Sequence, residues 1–178
     1  MHPQKEPLLW IILIGGAAVI GSYLVGFLPH PENLAAFWGG VPENLRSLYT
    51  VSMLLAALGY FAYSYYLLFS YNQGATTLGK SLRFGVFHWL YLGILIPSAL
   101  WLPLTWEMVA RPGPAVWLAI RLVLALVGLA SLGIMAALLR IKPQKPGWAY
   151  WLAMIGSAIF FLHTGILDAL VWTAFFLR

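Results

Sequence analysis

Long apolar runs separated by short polar stretches dominate this chain. The apolar runs cover residues 8–28, 49–71, 84–108, 114–139 and 148–177. Each run meets or exceeds the roughly 20 residues that an α-helix needs to cross a hydrocarbon core of about 30 Å. The pattern predicts an all-α fold, a polytopic membrane bundle of five transmembrane helices that forms a single integral membrane domain over residues 1–178.

A short repeat lies between the first two runs. The tetrapeptide Pro-Glu-Asn-Leu occurs at residues 31–34 and again at residues 42–45. In each copy the proline suits the first turn of a helix, and the glutamate complements the positive helix N-terminus. The first copy predicts a short interfacial helix that ends near Gly39 and Gly40, and the second predicts the start of the second transmembrane helix.

Composition supports a membrane protein and removes several classes of site. Hydrophobic residues make up 62% of the chain and charged residues 8%, whereas soluble domains are about one quarter charged. The absence of cysteine excludes disulfides, thiolate metal sites, iron–sulfur clusters and a cysteine nucleophile. The net charge is +5, but no basic run interleaves with aromatic residues, so nucleic acid is not predicted as a partner.

The distribution of charge between the connections predicts the orientation in the membrane. One side carries a single acid, Glu6, and six basic residues, which are Lys5, Lys80, Arg83, Arg140, Lys142 and Lys145. The other side carries three arginines and three glutamates. Because basic residues concentrate on the cytoplasmic side, we predict a cytoplasmic N-terminus and a C-terminus outside.

Two charged residues, Arg121 and Asp168, fall inside the apolar runs, where a charge is costly and suggests function. Arg121 lies 23 residues before Gln144, the centre of the turn between helices four and five, and Asp168 lies 24 residues after it. In an antiparallel hairpin the two side chains reach a similar depth, which predicts a buried ion pair. This pair is either purely structural or also faces a ligand cavity. In a third interpretation Arg121 extends alone to the interface.

Two histidines lie in predicted helices, His88 near the inner end of the third and His163 midway along the fifth. Their depths differ by roughly 15 Å, which disfavours one haem held by both. Hydrogen-bonded core histidines and a polar lining for a ligand pocket remain open. His163 and Asp168 are five residues apart, which places them on different faces of an α-helix, so no metal site is predicted.

Aromatic side chains mark the second and third helices. Tyr60 and Tyr63 are one turn apart and form a stripe, while Trp89 and Trp101 lie deep in the third helix, which also contains two prolines that favour a kink. Interhelical packing and an aromatic wall around a ligand both explain these residues.

Two short stretches carry a resemblance to a known family. Gly-Tyr-Phe-Ala-Tyr at residues 59–63 and Leu-Trp-Leu-Pro-Leu at residues 100–104 resemble segments of the translocator protein family, also called tryptophan-rich sensory proteins. The first loop reads Trp-Gly-Gly-Val-Pro at residues 38–42, where that family has Trp-x-Pro-Pro, and the family's asparagine pattern in helix five is missing. The resemblance implies a five-helix protein that binds porphyrins or sterols in a cavity near Trp101 and the Tyr60–Tyr63 stripe.

These observations favour a non-enzymatic protein that binds or carries a lipophilic or tetrapyrrole-like ligand, since no catalytic motif is recognisable. A small structural subunit of a larger membrane complex and a redox subunit that holds haem or quinone remain as alternatives. The expected partners are the lipid bilayer, an apolar small molecule, and either further copies of the chain or other membrane subunits. The candidate ligand-binding residues are Tyr60, Tyr63, His88, Trp89, Trp101 and His163.

Overall fold

Five long helices form the structure, a computed structural model that describes residues 3–28, 31–71, 76–78, 83–143 and 146–176. The helices are α1 (Lys5–Phe27), α2 (Glu43–Tyr65), α3 (Val86–Ala110), α4 (Pro114–Arg140) and α5 (Trp148–Phe161). Helix α2 continues as a π-helix over Tyr66–Ser70, and α5 continues as a π-helix over Leu162–Trp172 and a last α-turn over Thr173–Phe175. With these continuations all five are long and apolar enough to cross a membrane, which confirms the predicted all-α five-helix bundle.

Both copies of the tetrapeptide repeat begin a helix, as predicted. The first begins a 3₁₀ helix over Pro31–Trp38, and the second places Glu43 in the first turn of α2 directly after Pro42. The 3₁₀ helix ends where the Gly39 N–H donates to the Ala36 carbonyl at 3.1 Å. Gly39 has a φ of +53°, a conformation that glycine adopts without steric cost.

Two pairs of glycines set the closest approaches between helices. In α2 and α5, Gly59 and Gly156 lie back to back, and a Cβ added to Gly156 would meet the Gly59 Cα and carbonyl oxygen at 2.8 Å. Between α4 and the π-helix of α5, a Cβ on Gly128 would meet the Gly165 Cα at 2.9 Å. Small residues at these crossings let the backbones touch, which is how helices associate closely in membranes.

A two-stranded pairing links two connections at one end of the bundle, and it was not predicted. Strand β1 (Thr76–Leu78) pairs antiparallel with β2 (Ile141–Pro143), with Thr77 opposite Lys142. The pairing holds the α2–α3 and α4–α5 connections together on the same side. Five helices that cross the membrane in alternating directions also place both of these connections on one side.

This end of the bundle, which also contains Lys5, Arg83 and Arg140, is called the basic end below. Lys5 is itself buried, and its ammonium group donates to the carbonyls of Leu68 at 2.9 Å and of Tyr71 at 2.7 Å. Leu68 lies in the π-helix that continues α2 and Tyr71 directly follows it, so these carbonyls are at a helix C-terminus, where carbonyls lack partners within the helix. Lys5 therefore acts as a cap for α2 rather than as a free charge flanking α1.

Candidate functional site

The π-helix of α5 brings together two side chains that the sequence analysis had separated. His163 and Asp168 are five residues apart, and the i→i+5 pattern of a π-helix places such residues on one face. The His163 Nε2 and Asp168 Oδ2 atoms lie 3.5 Å apart. The prediction that these residues point in different directions was wrong, because it assumed α-helical geometry.

A serine of α2 completes this polar cluster. The His163 Nδ1 atom lies 3.1 Å from the Ser52 hydroxyl. In one neutral tautomer of the imidazole, the Nε2–H group points towards Asp168 and Nδ1 accepts a hydrogen bond from the Ser52 hydroxyl. The ring can then bridge the two side chains. His163 is buried, whereas the Asp168 side chain keeps 29% of its surface exposed. Within the Ser52–His163–Asp168 cluster, the carboxyl group is thus more exposed than the imidazole.

Two tyrosines lie near the carboxyl group. Asp168 is close enough to interact electrostatically with the phenols of Tyr23 in α1 and Tyr49 in α2. The Tyr49 hydroxyl donates to the Leu167 carbonyl at 2.9 Å and holds α2 against the π-helix. Trp101 packs against Tyr23, with ring centroids 6.2 Å apart. Its indole N–H is buried and has no hydrogen-bond partner within the described part of the chain.

Two contacts with α4 fix the rotation of the π-helix. Thr164 donates a hydrogen bond to the Ser131 hydroxyl at 2.9 Å, and Gly165 touches Gly128. These residues occupy the face of the π-helix that meets α4.

The predicted ion pair between Arg121 and Asp168 is not formed among the described residues. Asp168 lies beside His163, and the Arg121 side chain is exposed on α4, next to the exposed Leu118 and Leu122. Ile120, one residue earlier, is fully buried. The hairpin argument predicted the depth of the two residues along their helices but not the direction in which each side chain points around its helix axis. The Arg121 side chain points away from the bundle.

The absence of this pair leads to a prediction. We expect Arg121→Gln to change the free energy of unfolding by less than about 0.5 kcal/mol, as for other exposed side chains. Its effect should add to that of Asp168→Asn, because residues without a shared contact rarely couple. Thermal melts of both single variants and the double variant in detergent measure this. A double variant that is clearly more stable than the sum of the single effects would show that the two residues do interact.

Tyr60 and Tyr63 lie in a packed aromatic cluster nearer the basic end. Their ring centroids are 5.5 Å apart, and both rings also contact Tyr91 and Phe160 at 5.7–6.0 Å. Tyr63 is fully buried, and the Tyr91 hydroxyl shares a hydrogen bond of 2.7 Å with Ser64. This geometry favours interhelical packing over an open ligand wall.

His88 and Trp89 also lie apart from the Asp168 cluster. A His88 ring nitrogen donates to the Gln4 carbonyl at 2.9 Å, which ties α3 to the start of α1. The Trp89 side chain is 76% exposed. Phe87 and Tyr91 are buried on α3, and the helical period turns Trp89 to the opposite, lipid-facing side. Trp89 lies outside the bundle interior, and its role as a ligand-binding residue stays a prediction.

The structure thus brings His163 and Asp168 together. Trp101 is linked to this pair by Tyr23, which packs against Trp101 and interacts with Asp168. Sequence reasoning missed Ser52, Tyr23 and Tyr49, since nothing in the pattern shows which residues of α1 and α2 face the π-helix. Within the part of the chain that the structure describes, no three His, Asp or Glu side chains converge on a metal position. No protein-family model, no curated protein and no solved structure matches this chain.

Proposed function

We propose that this membrane protein binds or carries a lipophilic ligand with a positively charged head, and that Asp168 receives this head. The observation that carries the proposal is a partly exposed carboxyl group within a membrane-spanning helix. No arginine or lysine side chain forms an ion pair with it among the described residues. Ionisable groups at membrane depth are costly and mark ligand or ion pathways.

The surroundings of the carboxyl group support a cationic ligand. Aromatic faces attract organic cations within about 6 Å of a ring centroid, and more strongly away from water. Tyr23 and Tyr49 interact with the Asp168 carboxyl group, and Trp101 stands behind Tyr23. The buried Trp101 N–H, which has no hydrogen-bond partner among the described residues, is available to an acceptor atom of the same ligand.

From the resemblance to the translocator protein family we take only the class of ligand. That family binds porphyrins and sterols, which share with the proposed ligand a large apolar body. Within this bundle we propose a site at the Ser52–His163–Asp168 cluster and Trp101 rather than at the packed Tyr60–Tyr63 stripe. We also propose that the basic end faces the cytoplasm, so that Asp168 is approached from the outer half of the membrane.

Binding of two ions of equal size and opposite charge tests the proposal. We expect the purified protein to bind tetraphenylphosphonium and to favour it over tetraphenylborate. Asp168→Asn should weaken binding of the cation at least about tenfold, equivalent to about 1.4 kcal/mol, and leave the anion almost unchanged. Equilibrium dialysis in detergent measures both.

A matched control separates Asp168 from general charge effects. Glu107→Gln removes an exposed acid that pairs with Arg111 at 3.9 Å, outside the site, and should leave cation binding unchanged. Equal binding of the cation by wild type and Asp168→Asn contradicts the proposal. A Soret band in the purified protein would instead support the redox alternative, and stable co-purifying subunits would support a structural role.

A further inference from the structure

A groove runs along the lipid-facing surface between α2 and α5, away from the Asp168 cluster. It has a volume of 280 Å³. Its lining is apolar and consists of Leu58, Phe61, Ala62, Tyr65, Trp148, Ala149 and Leu152. The two alanines leave room between larger neighbours that are themselves largely exposed. The shape suits a flexible apolar chain lying along the helices.

One end of this groove lies at the basic end of the bundle. Tyr65, at the end of α2, stacks on Trp148, the first residue of α5, with ring centroids 5.8 Å apart. Tyrosine and tryptophan concentrate at the level of lipid headgroups. A chain that enters the groove beside this stacked pair therefore has its head at the membrane surface.

Two basic side chains lie at the same end of the bundle as that entrance. The Tyr150 hydroxyl donates to the Ile141 carbonyl at 3.3 Å, which ties β2 to the first turn of α5. Lys142 follows in β2 and Arg140 precedes it, and both side chains are exposed. Arg140 and Lys142 therefore flank the residue that bonds to the first turn of α5, at the same end of the bundle as the groove mouth.

At the opposite end of the bundle, two arginines are paired with glutamates. There Arg46 lies 3.7 Å from Glu43, and Arg111 lies 3.9 Å from Glu107. Among the residues with described side chains, neither Arg140 nor Lys142 forms such a pair. Within the described side chains, the positive charge of Arg140 and Lys142 is therefore not neutralised by an acid, as it is for the arginines at the opposite end.

We infer that this groove binds an anionic phospholipid, with one acyl chain against Ala62 and Ala149 and the headgroup at Arg140 and Lys142. Basic positions next to spanning helices recognise anionic headgroups, and the apolar lining receives the chain without any polar contact to replace. The site is separate from Asp168, so it stands or fails independently of the proposed function.

Native mass spectrometry of the detergent-purified protein, titrated with phosphatidylglycerol or phosphatidylcholine of identical chains, tests this inference. We expect one phosphatidylglycerol to bind about 30-fold more tightly than phosphatidylcholine, since each surface cation contributes roughly a fivefold factor. The double variant Arg140→Gln/Lys142→Gln should remove this preference. Ala62→Phe, which fills the groove, should weaken binding of both lipids.

Arg111→Gln removes a cation at the opposite end and should keep the preference for phosphatidylglycerol. Equal affinity for the two lipids, or a preference that survives the double variant, overturns the inference. A dimer that lacks bound lipid and is lost in Ala62→Phe also overturns it, since a second copy then occupies the groove.

Discussion

Gly59→Ala is expected to destabilise the protein, although the same change at Gly21 stabilises it. A Cβ on Gly59 would press into the Gly156 carbonyl of α5, and backbone cannot move aside as a flexible side chain can. At Gly21 in α1 nothing lies within 4 Å of the added atom. The better helix propensity of alanine then contributes about 0.5–1 kcal/mol in favour of folding.

The size of the effect at Gly59 follows from overpacking. We expect a loss of about 1–3 kcal/mol for Gly59→Ala and more for Gly59→Leu, because the whole α2–α5 contact must separate. Thermal melts in detergent of Gly59→Ala, Gly59→Leu and the matched pair at Gly21 measure this. A stabilising Gly59→Ala variant would mean that the two backbones do not touch.

Lys5→Met is expected to cost about 2–4 kcal/mol of stability. Methionine keeps the apolar stem but removes the ammonium group, so the Leu68 and Tyr71 carbonyls lose their donor at 2.9 and 2.7 Å. Each buried carbonyl without a partner costs about 1–3 kcal/mol, and hydrogen bonds from a charged donor are stronger than neutral ones.

The control for Lys5→Met is Lys142→Met, because Lys142 is exposed and bonds to no described side chain. Its effect should stay within about 0.5 kcal/mol. Hydrogen exchange at the last turn of α2 should also accelerate in Lys5→Met and not in Lys142→Met. Equal melting temperatures for the two variants would show that Lys5 does not cap α2.

Lys5 shows where a sequence signal existed and was missed. A helix N-terminus favours acids, so a lysine in the first turn of α1 opposes the dipole of its own helix. That conflict indicates a partner on another element, which here is the C-terminus of α2. From the sequence, Lys5 was interpreted only as a charge that flanks α1, because its burial depends on how α1 packs against α2.

His163 and Asp168 show the opposite case. Their spacing of five residues argues against a shared face in an α-helix, and nothing in residues 148–177 distinguishes a π-helix from an α-helix. In the structure this π-helix contacts α4 through the Thr164–Ser131 hydrogen bond and the close approach of Gly165 to Gly128. Such contacts exist only after the bundle has assembled.

The amino-acid sequence by itself determined the five spans, the short helix after the first span and the start of α2. These depend on segment length, hydropathy and local helix signals, which act within a few turns of each residue. Only the tertiary structure decided the rotation of Arg121 and Trp89 towards the lipid, the capping role of Lys5 and the meeting of His163 with Asp168. In a lipid solvent almost every face of a helix is apolar, so hydrophobic periodicity cannot report which face turns inward, and close packing between helices makes that choice.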